Sequence, residues 1–407
     1  MNGPAPGSYI LAADIGGTSS RFALFRLEEE GDSLGLALLP ESKLRLPTAA
    51  HSSFPDLLAR LRSEKCPGGY ALLGPELSGS AKAAGGQALI RQISLAVPGP
   101  VRAGFCRAPN VQFTMSEAEI ASTLGLPGSL LNDFKAQGLS CLLPEILGLQ
   151  TLVPGKPDLS CPAVVMGAGT GLGKALILPQ GDGTNQGDGP GDASGPCGPG
   201  ASEDGPARCS AKDPSAYADR PALSRASLPR PVQENGAGGS AARAGARILP
   251  SEGGHSLFPF AGKEEFAFAL FASELTGGRE LIGDLTVTGH GLALLVAYFA
   301  GLQGLPSPEE AAALLPEYPG ALEWLARFYG RACRDMVLET LALGGVFLSG
   351  GMLSHVPQLR GHPAFSREFR LSQSQEKLLA QVPIWWISNQ DAGLWGAALH
   401  GAGFIHA

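Results

Sequence analysis

Residues 9–27 read YILAADIGGTSSRFALFRL, and this stretch decides the fold. Tyr9–Ile15 is an apolar, β-prone run that meets Gly16-Gly17-Thr18 and resumes as Arg21–Leu27. Two apolar runs around a Gly-Gly signal predict a β-hairpin. The two glycines remove side chains where a phosphate must come close, leaving backbone N–H groups and the Thr18 hydroxyl as donors. Asp14 beside them can hold Mg²⁺ directly or through water. Taken alone, a plain hairpin with a surface Asp explains the same residues.

Two further glycine turns follow apolar strands. Pro162–Met166 runs into Gly167–Gly173, reading GAGTGLG, and out through Lys174–Leu178. This loop fails the dinucleotide fingerprint because Leu172 stands at its sixth place. It fails the P-loop pattern because Ala168 and Ala175 occupy the required Gly and Ser/Thr places. The third turn, Gly350-Gly351, ends the strand Val346–Ser349. Three such turns in one chain are far more specific than any one.

Around them, a helix is expected at Phe54–Arg62 and a strand at Gln92–Val97, ended by Pro98-Gly99-Pro100. A short strand, Ser129–Leu131, leads to Asn132-Asp133, and order after residue 245 begins with Ala246–Pro250. Helical periodicity marks Glu264–Leu275, Leu292–Leu302 and Leu322–Leu341, with Gly344 as the stop of the last. Ile384–Ile387 and the small-residue helix Gly393–Leu399 close the chain. Alternating strands and helices define an α/β class.

Asp133, opening a helix, has the chemistry of a base that takes a proton from an incoming hydroxyl. The plainer alternative is an N-cap Asp worth ~1 kcal/mol. Glu252-Gly-Gly-His255 sets a carboxylate and an imidazole around a turn, which suits a polyhydroxylated ligand; a metal would want a third ligand nearby.

The 407 residues suggest two domains. A net charge of −7 with no long basic run argues against nucleic acid or anionic membrane as partners. Seven scattered cysteines without a C-x-x-C, and no signal-like N-terminus, point to reduced thiols in the cytoplasm. Among residues 181–240, 20 are Gly or Pro and only Leu223, Leu228 and Val232 are large aliphatics. Such a segment cannot offset its ordering entropy and is expected to be a disordered insertion, taken as 181–245.

In order, the chain carries LAADIGGTSSRFALF (11–25), LAVPGPV (95–101), LLNDFKAQG (130–138), VVMGAGTGLG (164–173), LPSEGGHSLF (249–258), VTGHGLALL (287–295), GGVFLSGGM (344–352) and DAGLWGAAL (391–399). This combination resembles the bacterial glucokinase family, related to hexokinases but separate from the zinc-containing repressor/kinase family. The resemblance covers nearly everything except 181–245, which the usual member lacks. It implies a two-domain actin/hexokinase-like (ribonuclease H-like) fold, with residues 1–143 and the C-terminal helix 388–407 on one side of a cleft and 144–387 on the other. It implies ATP and Mg²⁺ as cofactors, held by Ala13, Asp14, Ile15, Gly16, Gly17 and Thr18 and by Gly169, Thr170 and Gly171, with Gly350 and Gly351 near adenosine. It implies glucose as substrate, bound by Asn132, Asp133, Glu252 and His255, with Asp133 as base toward the 6-hydroxyl. The family's further sugar-binding Glu falls on Asp284, one methylene shorter; the rival is that Asp284 stabilises a turn before a strand Leu285–Val287 while Glu280 contacts the sugar. A homodimer is a family expectation only. A sugar-sensing regulator on the same fold would want a DNA-binding helix-turn-helix, for which the residues before the first strand leave no room.

Overall fold

The computed structural model describes residues 7–30, 33–74, 77, 88–108, 110–179, 225–229 and 246–403. The predicted hairpin is β1 (Gly7–Ile15) and β2 (Ser19–Glu30), followed by β3 (Ser33–Leu38) and β4 (Leu44–Pro47). Helix α1 (Phe54–Arg60) precedes β5 (Ala88–Val97). A small three-stranded sheet, β6 (Val101–Arg102), β7 (Phe105–Arg107) and β8 (Thr114–Ser116), leads through α2 (Glu117–Leu124) to β9 (Gly128–Asn132) and α3 (Asp133–Ser140). A second large sheet contains β10 (Leu149–Val153), β11 (Ala163–Ala168) and β12 (Leu172–Ile177). Strand β13 (Arg225–Pro229) returns to the first sheet, pairing antiparallel with β3, and β14 (Ile248–Ser251) rejoins the second. The rest of the expected insertion lies outside the described residues; nothing in its composition signalled β13.

Helices α4 (Gly262–Leu275), α5 (Gly283–Thr286), α6 (Gly289–Ala300), α7 (Pro308–Leu314) and α8 (Pro319–Thr340) come next. Then follow β15 (Val346–Ser349), α9 (Met352–His355), α10 (Pro363–Arg370), α11 (Glu376–Leu379), β16 (Ile384–Ile387) and α12 (Ala392–Gly401).

The two large sheets repeat one plan. In the first, the order β3-β2-β1-β5-β9 joins an antiparallel triplet to parallel neighbours. In the second, β14-β12-β11-β15-β16 does the same. Helices α3 and α12 lie between the sheets. Their Ala136, Leu139, Leu394 and Trp395 share one core with Ile10 and Phe25 of the first sheet and Val165 and Trp385 of the second. A Cβ on Gly396 would lie 1.7 Å from the Ala136 carbonyl oxygen, so only glycine lets the two helices approach this closely. No helix among the described residues is long and apolar enough to cross a membrane.

The second glycine turn spans Gly169–Gly171, not the expected Gly167–Gly173, because Gly167 pairs with Gly173 and Ala168 with Leu172 across β11 and β12. The end of α8 also differs. The chain leaves α8 at Leu341, in the left-handed region with φ 49°, not at Gly344. That conformation crowds Cβ against the carbonyl and costs ~1–2 kcal/mol. Leu341 is also 55% exposed, so little packing is lost with its side chain. Leu341→Gly is therefore expected to raise stability by ~1 kcal/mol, read by chemical denaturation.

Candidate active site

Parallel strands β1, β5 and β9 are neighbours, so their C-terminal ends converge. Those ends carry Asp14–Thr18, Pro98-Gly99 and Asn132-Asp133, the edge where open α/β sheets bind ligands. The first turn is tight: Gly16 N–H donates to the Ser19 carbonyl at 3.1 Å, and a Cβ on Gly17 would lie 2.8 Å from the Asn110 carbonyl oxygen. Ala13 and Ile15 are buried in the core, so only their main chain can face a ligand. Asp14 is ion-paired with Arg21, which also donates to the Gln390 carbonyl. Its Oδ2 would lie 2.9 Å, and Gln137 Nε2 3.1 Å, from a Cβ on Gly393, at the start of α12.

The N-cap of α3 is Asn132. Its Oδ1 accepts from the N–H groups of Phe134 (3.0 Å) and Lys135 (3.1 Å), while Nδ2 donates to the Gly99 carbonyl at 3.2 Å. The capping alternative raised for Asp133 thus belongs to its neighbour. Burial pushes the Asp133 carboxyl up to about 7, helped by the charge of Asp14 and, more weakly, Glu252; a hydrogen bond from Phe134 N–H at 2.9 Å acts the other way. Cys106 on β7 is buried behind this edge, its Sγ 3.4 Å from where a Cβ on Gly99 would lie. Burial, then the charges of Asp133 and Glu252, push its thiol up to about 11.

The second and third turns are also neighbours, since β11 and β15 run parallel. Gly350 has φ +86°, and a Cβ there would lie 2.5 Å from the Ala168 carbonyl oxygen. A Cβ on Gly169 would lie 3.9 Å from Gly351 N. Gly169 N–H donates to the Gly171 carbonyl at 3.0 Å, and the Gly169 carbonyl accepts from Gly289 N–H at 3.3 Å. The N–H groups of Gly17, Thr18, Thr170 and Gly351 take no backbone acceptor among the described residues. Phe134, next to Asp133, rests on the second turn's hairpin: a Cβ on Gly173 would lie 1.8 Å from its ring. Those glycines seat the start of α3 against the second sheet.

Glu252, His255 and Asp284 come together. His255 Nε2 is 3.6 Å from Glu252 Oε2, and its Nδ1 is 3.7 Å from Asp284 Oδ2. Glu252 and His255 are 58% and 54% exposed, which leaves them open to a ligand. Asp284 lies in α5, where a strand Leu285–Val287 was the rival expectation, and its Oδ1 accepts from Leu172 N–H at 2.8 Å. It therefore ties the second glycine turn to His255. Glu280 is exposed on the preceding loop.

Among the described residues, no three His, Cys, Asp or Glu side chains group to hold a metal. Mg²⁺ does not require such a cage: one or two carboxylates plus nucleotide phosphates suffice, and Asp14 at a phosphate-type turn fits that donor set. The glycine turns fit a nucleotide for the same reason, offering open N–H donors with no side chains in the way.

A doubled sheet plan with glycine turns at the strand ends defines the actin-like ATPase fold. The glucokinase family model matches residues 11–192 and 236–403, and the chain belongs to that family. It is 28% identical to the glucokinase of Stenotrophomonas maltophilia, over 97% of this chain and 95% of that one. To the glucokinase of Pseudomonas paraeruginosa it is 26% identical, over 97% and 92%. Among solved structures, it superposes on a glucokinase from an Antarctic psychrotroph with TM-score 0.61, at 19% identity, over 97% of this chain and 99% of that one. The glucokinase of Balamuthia mandrillaris, solved with glucose, also gives TM-score 0.61, at 17% identity over 97% and 94%. These two likenesses carry the fold.

Proposed function

We propose that the protein is an ATP-dependent glucokinase, transferring the γ-phosphoryl group to the 6-hydroxyl of glucose to give glucose 6-phosphate and ADP. The observation that carries this is the place of Asp133 at the β9–α3 junction, on the same sheet edge as the Asp14–Thr18 turn, with its carboxyl pushed up to about 7 by burial and by the charge of Asp14. A base works best with its pKa near the operating pH.

In this reading Glu252, His255 and Asp284 hold the sugar hydroxyls, and Asn132 adds its remaining amide hydrogen. Asp133 accepts the proton of the 6-hydroxyl as the oxygen attacks. The N–H groups of Gly17, Thr18 and Thr170 orient the phosphates, and adenosine lies by Gly350-Gly351. Mg²⁺ at Asp14 would supply charge neutralisation on the transferring group. Residues 1–143 with 388–407, and 144–387, act as two domains that close on the substrates and exclude water, the competing acceptor. The cytoplasm, where both substrates occur, is the proposed compartment.

One observation favours a different hexose: Asp284 reaches less far than the family's Glu. A coupled assay over glucose, mannose and fructose decides between them. Glucose is expected to give the highest kcat/KM, and a clear preference for either of the others would overturn the assignment. The same assay across pH should show kcat/KM for glucose falling about tenfold per pH unit below an apparent pKa near 7, because the protonated base is inactive.

A further inference from the structure

A cluster of buried charges lies where α4, α8 and α10 meet. Arg331 is 3% exposed. Its Nη1 donates to Glu265 Oε2 at 2.6 Å, its Nη2 to Glu265 Oε1 at 2.9 Å, and its Nε to Glu368 Oε1 at 2.8 Å. Burial would favour the neutral acid at Glu265, but Arg331, the Ala261 N–H and Arg327 outweigh it and hold the carboxyl below its ordinary range.

Two further bonds leave the cluster. Arg331 Nη1 donates to the Pro259 carbonyl at 2.7 Å, and Glu265 Oε2 accepts from Ala261 N–H at 2.8 Å. Both grip the stem that follows the Glu252–His255 turn. The same stem is locked to the α5 region: Phe258 N–H donates to the Leu281 carbonyl at 2.9 Å, and Gly283 N–H to the Ser256 carbonyl at 3.1 Å. The guanidinium also lies over the rings of Phe258 and Phe328, at 5.8 and 5.6 Å.

Stability alone does not call for such a cluster, because well-packed apolar side chains of similar volume commonly serve as well as a buried ion-pair triad. Apolar side chains cannot, however, direct a hydrogen bond to the Pro259 carbonyl or receive one from Ala261.

We propose that Arg331, together with Glu265, is a positioning residue for the sugar subsite, fixing Glu252, His255 and Asp284 by gripping the backbone at Pro259 and Ala261. This rests on the reading of those three side chains as sugar ligands. Arg331 touches no substrate and acts only through the stem.

The test replaces the cluster with apolar residues, as Glu265→Leu/Arg331→Met/Glu368→Leu. The variant is expected to stay folded, melting somewhat lower because Arg327 loses Glu265 and Arg334 loses Glu368, while the KM for glucose rises ~10-fold or more, the worth of a lost charge-assisted hydrogen bond, and the KM for ATP rises by much less. A folded variant with unchanged glucose KM overturns the proposal, as does an equal rise in both KM values, which would mark general loosening. If the triple variant does not fold, Arg331→Lys keeps the charge but loses the fork that reaches two carboxylates and a carbonyl at once, and the same split is expected. Glu252→Ala is measured alongside. If it too leaves the glucose KM unchanged, the sugar-ligand reading has failed; if it raises KM while the cluster variants do not, only the positioning role has.

Discussion

Asp133→Asn is expected to lower kcat by ~10²–10⁴, the usual worth of a positioned general base. The amide keeps the shape and can still accept from Phe134 N–H through its oxygen, so glucose binding should weaken far less. A second effect has the opposite sign. The folded-state pKa of Asp133, about 7, stands above its unfolded value, so its favourable contribution is fully present below ~pH 4 and is lost as pH rises through 7. Above that pH the wild type carries a poorly solvated charge that the amide lacks. Melting curves should therefore show the variant gaining stability over wild type as pH rises from 4 to 8. A variant that keeps more than about a third of wild-type kcat removes Asp133 from the base role.

Asp284→Ala is the second large effect, and the structure changes what to expect of it. As a sugar ligand alone, losing a hydrogen bond to a charged group costs ~1.5–3 kcal/mol, or ~10–150-fold in glucose KM. Asp284 Oδ1 also accepts from Leu172 N–H, at the end of the second glycine turn. Removing it orphans that donor and loosens the turn proposed to hold phosphate. The ATP KM should then rise as well, by less than the glucose KM. Asp284→Glu keeps a carboxylate but pushes it toward Gly171 and Gly254, where a Cβ already would lie 3.0 and 2.4 Å from the Asp284 oxygens. Glu280→Ala, on an exposed loop, should change neither. A large glucose effect at Glu280 with none at Asp284 would reverse these roles.

Much of this was legible because each signal was local. The β1–β2 hairpin and the strand before Gly350 are apolar runs ended by glycine, and those turns are where they were read; the second turn is shorter than its glycines suggested, because Gly167 and Gly173 pair across β11 and β12. Asn132-Asp133 was found at the right junction, though which of the two caps α3 depends on side-chain direction, and Asn132 takes both N–H groups. The repeated sheet plan was not legible, since the two halves share a topology and not a sequence period. Strands β6 to β8 are two or three residues long, too short for an alternating pattern. Glu265 and Arg331 read as ordinary charged positions on amphipathic helices; only the packing of α4, α8 and α10 shows that they are buried opposite each other. Cys106 gave no sign of packing by Gly99, the residue whose carbonyl holds the Asn132 amide, because β7 reaches that strand end only in three dimensions.

The proposed enzyme transfers phosphoryl to a single sugar hydroxyl, with Asp133 as base. The direct measurement follows the purified protein with ATP, Mg²⁺ and glucose by ³¹P NMR, recording ADP and sugar phosphate together. The expected result is one glucose 6-phosphate for each ADP, no phosphate on any other hydroxyl, and near-complete loss of the signal in Asp133→Asn. Inorganic phosphate in place of sugar phosphate, or an undiminished signal in the variant, would contradict it.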